Sequence, residues 1–299
     1  MNIQRNKLNI GKARRRVRMR CALFLLMLAV MVCAFGTVLP LLSAAWPRPL
    51  VIWVQTGLSL LAFGVTSFLG LRVLDGSQTR MLRLRVLSTP HMLYLALLGA
   101  LAVCPVSLLA DVTEGLLGRF VPLNGMQSDP LTLEQFLPML LKGVLLAPVC
   151  EELFFRGYFF GVMEREGEAT AVWGTALMFA VLHGVSAALP GHVLLGALFA
   201  LLMLRTGSIL APMLLHASFN FSILIISFLG VDGLFSGFSI VACAIRLAGS
   251  TAFVWALKRA YAARAAQETV RLAMPPLSGR DKVLLLGAVM AVIAAGVFS

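Results

Sequence analysis

Residues 135–160 read QFLPMLLKGVLLAPVCEELFFRGYFF, an apolar run broken by Lys142, Glu151, Glu152 and Arg156. A helix needs about 20 predominantly apolar residues to cross the hydrocarbon core, so this run is long enough to span a bilayer. Each charge inside such a span costs about 2.5–3.5 kcal/mol on insertion scales, so its presence asks for a reason. Glu152 and Arg156 are four residues apart, share a helix face and are expected to pair, which offsets the cost of burying both. Glu151 points about 100° away from Glu152 by the 3.6-residue period. It is left free to face a cavity and move a proton there. Pro148, three residues earlier, removes a backbone donor and predicts a kink that opens room for water.

Outward from this run, hydropathy gives about nine spans (eight if one short segment does not cross), at roughly 21–44, 50–71, 91–110, 135–160, 170–189, 191–206, 208–229, 237–257 and 283–299. The expected fold is therefore an all-α polytopic transmembrane helix bundle. Its divisions are a basic N-terminus over 1–20, helices and a polar loop over 21–134, a core over 135–229, and C-terminal helices with a basic loop over 230–299.

Composition agrees: 60% of the 299 residues are hydrophobic and 13% charged, against a soluble average near half apolar and about 25% charged. The net charge of +12 would ordinarily raise nucleic acid as a partner. Here most basic residues flank apolar spans, so no nucleic-acid partner is expected. With residues 1–20 in the cytoplasm, the basic loops at 72–85, 165, 205 and 258–282 all fall inside, as the positive-inside rule requires. This predicts an integral, multi-pass protein with a cytoplasmic N-terminus, in a bacterial inner membrane and with membrane lipids as partners. The five cysteines form neither a disulfide framework nor a zinc-ribbon pattern. Arg246, inside the eighth span, is read as snorkelling to the interface. Lys142 has no assigned partner, and 111–133 is read as an outside loop.

Two further spans carry polar residues. The fifth has His183 in Phe179-Ala180-Val181-Leu182-His183, and the seventh has His216-Ala217-Ser218-Phe219-Asn220, whose His216 and Asn220 share a face. At about 1.5 Å per residue, Glu151, His183 and His216 lie at comparable depths, as one shared site near mid-bilayer requires. His91 and His192 sit at span edges and are left out of it.

Glu-Glu-x-x-x-Arg, Phe-x-x-x-His and His-x-x-x-Asn, complete and in order on three spans, resemble the CPBP family. That family holds the type II CAAX prenyl proteases, bacteriocin-processing enzymes and abortive-infection (Abi) proteins. The resemblance covers about 135–225 and implies an intramembrane endopeptidase acting on a membrane-anchored or membrane-proximal peptide or protein. By it, Glu151 and His183 activate a water, His216 and Asn220 steady the oxyanion, and Glu152 and Arg156 hold the site's shape. Phe179 is grouped with these last two as a supporting residue. No cofactor is favoured. Zinc or another divalent metal on Glu151, His183 and His216 is the competing mechanism, although the His-Glu-x-x-His signature is absent. Two other readings stay open: a non-catalytic scaffold or immunity-type protein on the same fold, and a proton-coupled transporter.

Overall fold

The computed structural model describes residues 26–27, 46–65, 68, 83–120, 131–184, 186–262 and 279. The first and ninth expected spans, and most of the 258–282 loop, fall outside these residues. Every described element is helical, and no strand occurs among the described residues.

Helix α1 is Arg48–Ser59, continued by a π-helical stretch at Leu60–Val65, and α2 is Thr89–Leu117. Helix α3 is a composite that runs without interruption through Leu133–Met139, a π stretch at Leu140–Leu146, Ala147–Glu152, a second π stretch at Leu153–Phe159, and Phe160–Met163. Then come α4 (Glu168–Leu182), α5 (Leu189–Thr206), α6 (Leu210–Phe228) and α7 (Ile240–Ala262). Five of these, including Leu133–Phe159, are long and apolar enough to cross a membrane, and α1 and α4 are shorter apolar helices. The protein is an integral membrane protein built as an all-α bundle.

The fifth expected span ends early. Helix α4 stops at Leu182, His183 takes a non-helical conformation, and Gly184 has φ 85°. His183, Gly184 and residues 186–188, in the last third of the expected 170–189 span, are not helical. The apolar composition of Val181 to Leu189 carried no signal of it except Gly184. Elsewhere the boundaries follow local chemistry. The Thr132 N–H donates to Gln135 Oε1 at 3.1 Å at the start of α3. Pro90 and Pro190 stand in the first turns of α2 and α5, where no backbone donor is needed. Gly207 closes α5 in the left-handed region, φ 61°.

Helix α2 is central and packs along α6, α7 and α5, while α4 lies against α5. Lipid supplies no hydrophobic drive between helices, so contact depends on close approach at small residues. A Cβ on Gly99 would come within 2.5 Å of the Leu215 carbonyl oxygen, and one on Gly196 within 2.8 Å of Ala176 Cα. At one end of the bundle Arg83 pairs with Glu164 at 2.8 Å. There Ser208 Oγ donates to the Arg85 carbonyl at 2.6 Å, and the Ile209 N–H to the Arg83 carbonyl at 3.1 Å. These contacts gather the segments before α2, after α3 and before α6 on one side, as the same-side grouping of basic loops demands.

Two expectations are corrected. Arg246 does not snorkel: it is fully buried, bonded to Asp111 and to the carbonyls of Gly237 and Ala242. Asp111 can reach it because α2 runs on to Leu117, so the first part of the supposed loop is helix. Lys142 also has a partner, the Gln55 side chain on α1.

Candidate active site

The site is built on the irregularity of α3. In the π stretch each carbonyl looks five residues ahead for its donor. For Gly143 that residue is Pro148, which has no N–H. The Asn220 side chain from α6 takes its place, Nδ2 donating to the Gly143 carbonyl at 2.7 Å. The expected freeing of a carbonyl by Pro148 thus has a concrete consequence: it positions Asn220.

One turn on, Glu152 and Arg156 form the expected pair, Nη1 to Oε1 at 3.0 Å with neither side chain exposed. The same Oε1 lies 3.1 Å from His216 Nδ1. Arg156 Nη2 donates to the Gly196 carbonyl on α5 at 2.8 Å. The guanidinium sits against the rings of Phe179 and Phe199, 5.1 and 5.0 Å from their centroids. Glu152 and Arg156 therefore tie α3, α5 and α6 together and hold the His216 ring through Nδ1. A carboxylate only accepts, so Nδ1 carries the proton and Nε2 faces away from the pair.

Glu151 is held differently. Its Oε2 is buried and has no hydrogen-bond partner. It stands 3.8 Å from His183 Nε2. His183, at the C-terminus of α4, bonds the Phe179 carbonyl through Nδ1 at 2.7 Å. A carbonyl cannot donate, so Nδ1 is the protonated nitrogen of the neutral ring and Nε2 carries the lone pair toward Glu151. A separation of 3.8 Å is too long for a direct hydrogen bond. It suits one water about 2.8 Å from each atom. Phe179 braces both histidines, its ring centroid 4.4 Å from that of His183 and 5.6 Å from that of His216. The structure thus brings Glu151, Glu152, Arg156, Phe179, His183 and His216 together from three helices, while Asn220, one turn along α6 from His216, is bonded to Gly143, eight residues before Glu151. Among the described residues, no three His, Cys, Asp or Glu side chains stand close enough to hold a metal ion.

All of these residues lie in one stretch of chain, and that stretch has known relatives. Residues 133–222 match the family model described as type II CAAX prenyl endopeptidase, Rce1-like. This segment is an Rce1-like domain, consistent with the CPBP family. No curated protein and no solved structure matches the chain.

Within the Rce1-like segment, sequence reasoning misplaced one residue. His192, set aside as a span-edge histidine, packs on His183 with ring centroids 4.6 Å apart and planes 32° from parallel. Its Nδ1 is buried without a partner. The early end of α4 puts it there, because the tight turn to α5 folds the first turn of one helix back on the last residue of the other. Gly191 lets α5 come close enough to α2, where a Cβ would meet Val106 Cγ1 at 2.7 Å. The signal available was Gly184 followed by Pro190, a turn between two histidines nine residues apart. His91 does stand apart, bonded to Ser88 Oγ at 2.7 Å. A cavity of about 780 Å³ lies toward the opposite end from Arg83, lined by Ser107, Asp111, Glu114, Ser227 and Asp232 among others. None of the motif residues lines it.

Proposed function

We propose that this protein is an intramembrane endopeptidase that hydrolyses a peptide bond in a membrane-anchored or membrane-proximal substrate. The observation that carries the reading is the buried, unpartnered Oε2 of Glu151, 3.8 Å from the lone-pair nitrogen of His183. An unpaired carboxylate inside a membrane bundle is costly and marks function. The match of residues 133–222 to a peptidase family supports the same reading.

The chemistry follows from the atoms. Water between Glu151 and His183 gives up a proton to one of them as its oxygen attacks the scissile carbonyl carbon. The carbonyl oxygen gains negative charge and needs donors placed in advance. Asn220 keeps one amide hydrogen beyond the one spent on Gly143. His216 stands as the second group of this site, its ring fixed through Nδ1 by Glu152 with Nε2 facing away from that pair. The proton taken from water then passes to the leaving amine as the C–N bond breaks, so acid and amine are the products. We place the N-terminus in the cytoplasm of a bacterial cell, with the Arg83, Glu164 and Ser208 end of the bundle facing inward, on the distribution of basic loops.

The test is cleavage of membrane peptides by purified protein in proteoliposomes, with products read by mass spectrometry. Glu151→Gln keeps the shape and removes the base, and is expected to lower turnover by about 10²–10⁴-fold. Its melting temperature in detergent should match the wild type. Equal cleavage by the two proteins would end the reading.

A further inference from the structure

Hydrolysis inside a bilayer imposes a demand that the motif residues do not meet. A substrate helix must unwind around the bond to be cut, because an intact helix shields its carbonyl carbons. Each unwound peptide unit then exposes an N–H and a C=O where no bulk water can satisfy them, at a cost of several kcal/mol per group. The enzyme has to offer open hydrogen-bonding positions beside the reacting atoms. Asn220 and His216 are assigned to the carbonyl. Among the motif residues, the acceptors Glu151 Oε2 and His183 Nε2 are assigned to the water, and Glu152 Oε2 belongs to the fully buried pair with Arg156. The neighbouring N–H needs another acceptor, since a buried N–H is the backbone group least often left unpaired.

His192 supplies one. It lies outside all three motifs, yet its ring packs 4.6 Å from that of His183 and 6.4 Å from that of Phe179. Its Nδ1 is buried and unpartnered, while the corresponding nitrogens of His183 and His216 are both engaged. A neutral imidazole protonated on Nε2 leaves Nδ1 as an acceptor. The offset from His183 is slightly more than the length of one extended residue, about 3.5 Å.

We propose that His192 Nδ1 is a substrate-binding position of this site, accepting the backbone N–H of the peptide unit next to the scissile bond. The inference rests on the peptidase reading and adds to it the residue that holds the unwound substrate. His192 positions the substrate and takes no part in the proton transfers assigned to Glu151 and His183.

The test uses the full-length protein in proteoliposomes and a membrane peptide that the wild type cleaves. Two ester analogues of that peptide replace the amide on either side of the scissile bond, removing one N–H each. His192→Phe keeps an aromatic ring against His183 and removes the nitrogen. It is expected to lower kcat/KM about tenfold, mainly through KM. His192→Asn places an amide oxygen near the Nδ1 position and should recover most of the loss. One ester analogue should be cleaved about tenfold less efficiently than the amide by wild type, and no less efficiently than the amide by His192→Phe. An ester penalty of the same size in both proteins would overturn the proposal, as would a His192→Phe protein with wild-type kinetics. A general loss caused by misfolding lowers both substrates in proportion and leaves the ester penalty intact, which also counts against it. The Glu151→Gln protein separates the two levels. If it is inactive while His192→Phe is unaffected, only the role of His192 falls. If it cleaves like wild type, the peptidase reading falls and takes this inference with it.

Discussion

Two buried arginines, Arg156 and Arg246, sit in this bundle with no side-chain exposure, and their surroundings differ in one respect. Arg246 joins α7 to Asp111 of α2 and to two backbone carbonyls, and neither side chain of the pair is left with an unpartnered buried atom. Arg156 joins α3 to α5 and, through Glu152, to His216 on α6. Around it Glu151 Oε2, Glu152 Oε2, His192 Nδ1 and its own Nε are all buried and unpartnered. A saturated ion pair needs nothing further and behaves as a pin between helices. A cluster that keeps open valences in a low-dielectric interior stays costly until a water or a substrate fills them.

The largest effects are expected from removing each arginine alone. Arg156→Met strands a fully buried carboxylate and should cost about 3–5 kcal/mol of stability, measured by unfolding in mixed micelles. Arg246→Met should cost less, because Asp111 is 14% exposed and borders the cavity. The pairs then separate the two regions. Arg246→Met with Asp111→Leu removes both charges of the pin and should return to within about 1–2 kcal/mol of wild type with hydrolysis retained, because a well-packed apolar replacement of a buried pair is often neutral. Arg156→Met with Glu152→Leu should regain stability in the same way but no hydrolysis, because His216 has then lost the carboxylate on its Nδ1. A double variant at the Arg156 site that still cleaves would show that this cluster too is only a pin.

Asn220 sharpens the contrast at smaller amplitude. Asn220→Ala leaves the Gly143 carbonyl without the donor that Pro148 cannot provide. The expected cost is about 1–3 kcal/mol of stability, with turnover lost along with the oxyanion donor. Asn220→Ala at wild-type stability would mean that the Gly143 carbonyl finds another donor, and the link from Pro148 to the site would be void.

A stability cost of the same size is expected at Gly196, whose carbonyl accepts from Arg156 and whose bare Cα touches α4. Gly196→Ala overpacks that contact and should cost about 1–3 kcal/mol. The shift of α4 against α5 also moves His183 relative to Glu151. Turnover should therefore fall, and it should fall with Gly99→Ala as well, since a Cβ on Gly99 presses on Leu215, Ser218 and Phe219, the neighbours of His216 and Asn220 on α6.

Much of the site was legible because charge inside an apolar run has so few readings. Glu152 with Arg156 followed from their four-residue spacing, and Glu151 as the free carboxylate followed from the 100° offset. Their partners were less legible. Helical spacing relates residues within one element only, so it could not show that Glu152 serves Arg156 and His216 together. Nor could it show that Asn220 spends one donor on Gly143. His192 was missed for a related reason: hydropathy sees Val181 to Leu189 as continuous lipid-facing chain, whereas Gly184 breaks it and folds two histidines onto each other. Arg246 was misread as snorkelling because its partner, Asp111, was assigned to a loop 135 residues away.

The amino-acid sequence alone determined that this protein is a helical membrane bundle and that the charged and polar residues of its three motifs lie within apolar spans, since burial in hydrocarbon tolerates few other backbones and few other charges. Only the tertiary structure decided which of those side chains are saturated and which are open. Saturation depends on atoms brought together from different helices, and distances between helices are set by packing at residues such as Gly99, Gly191 and Gly196, not by any period along the chain.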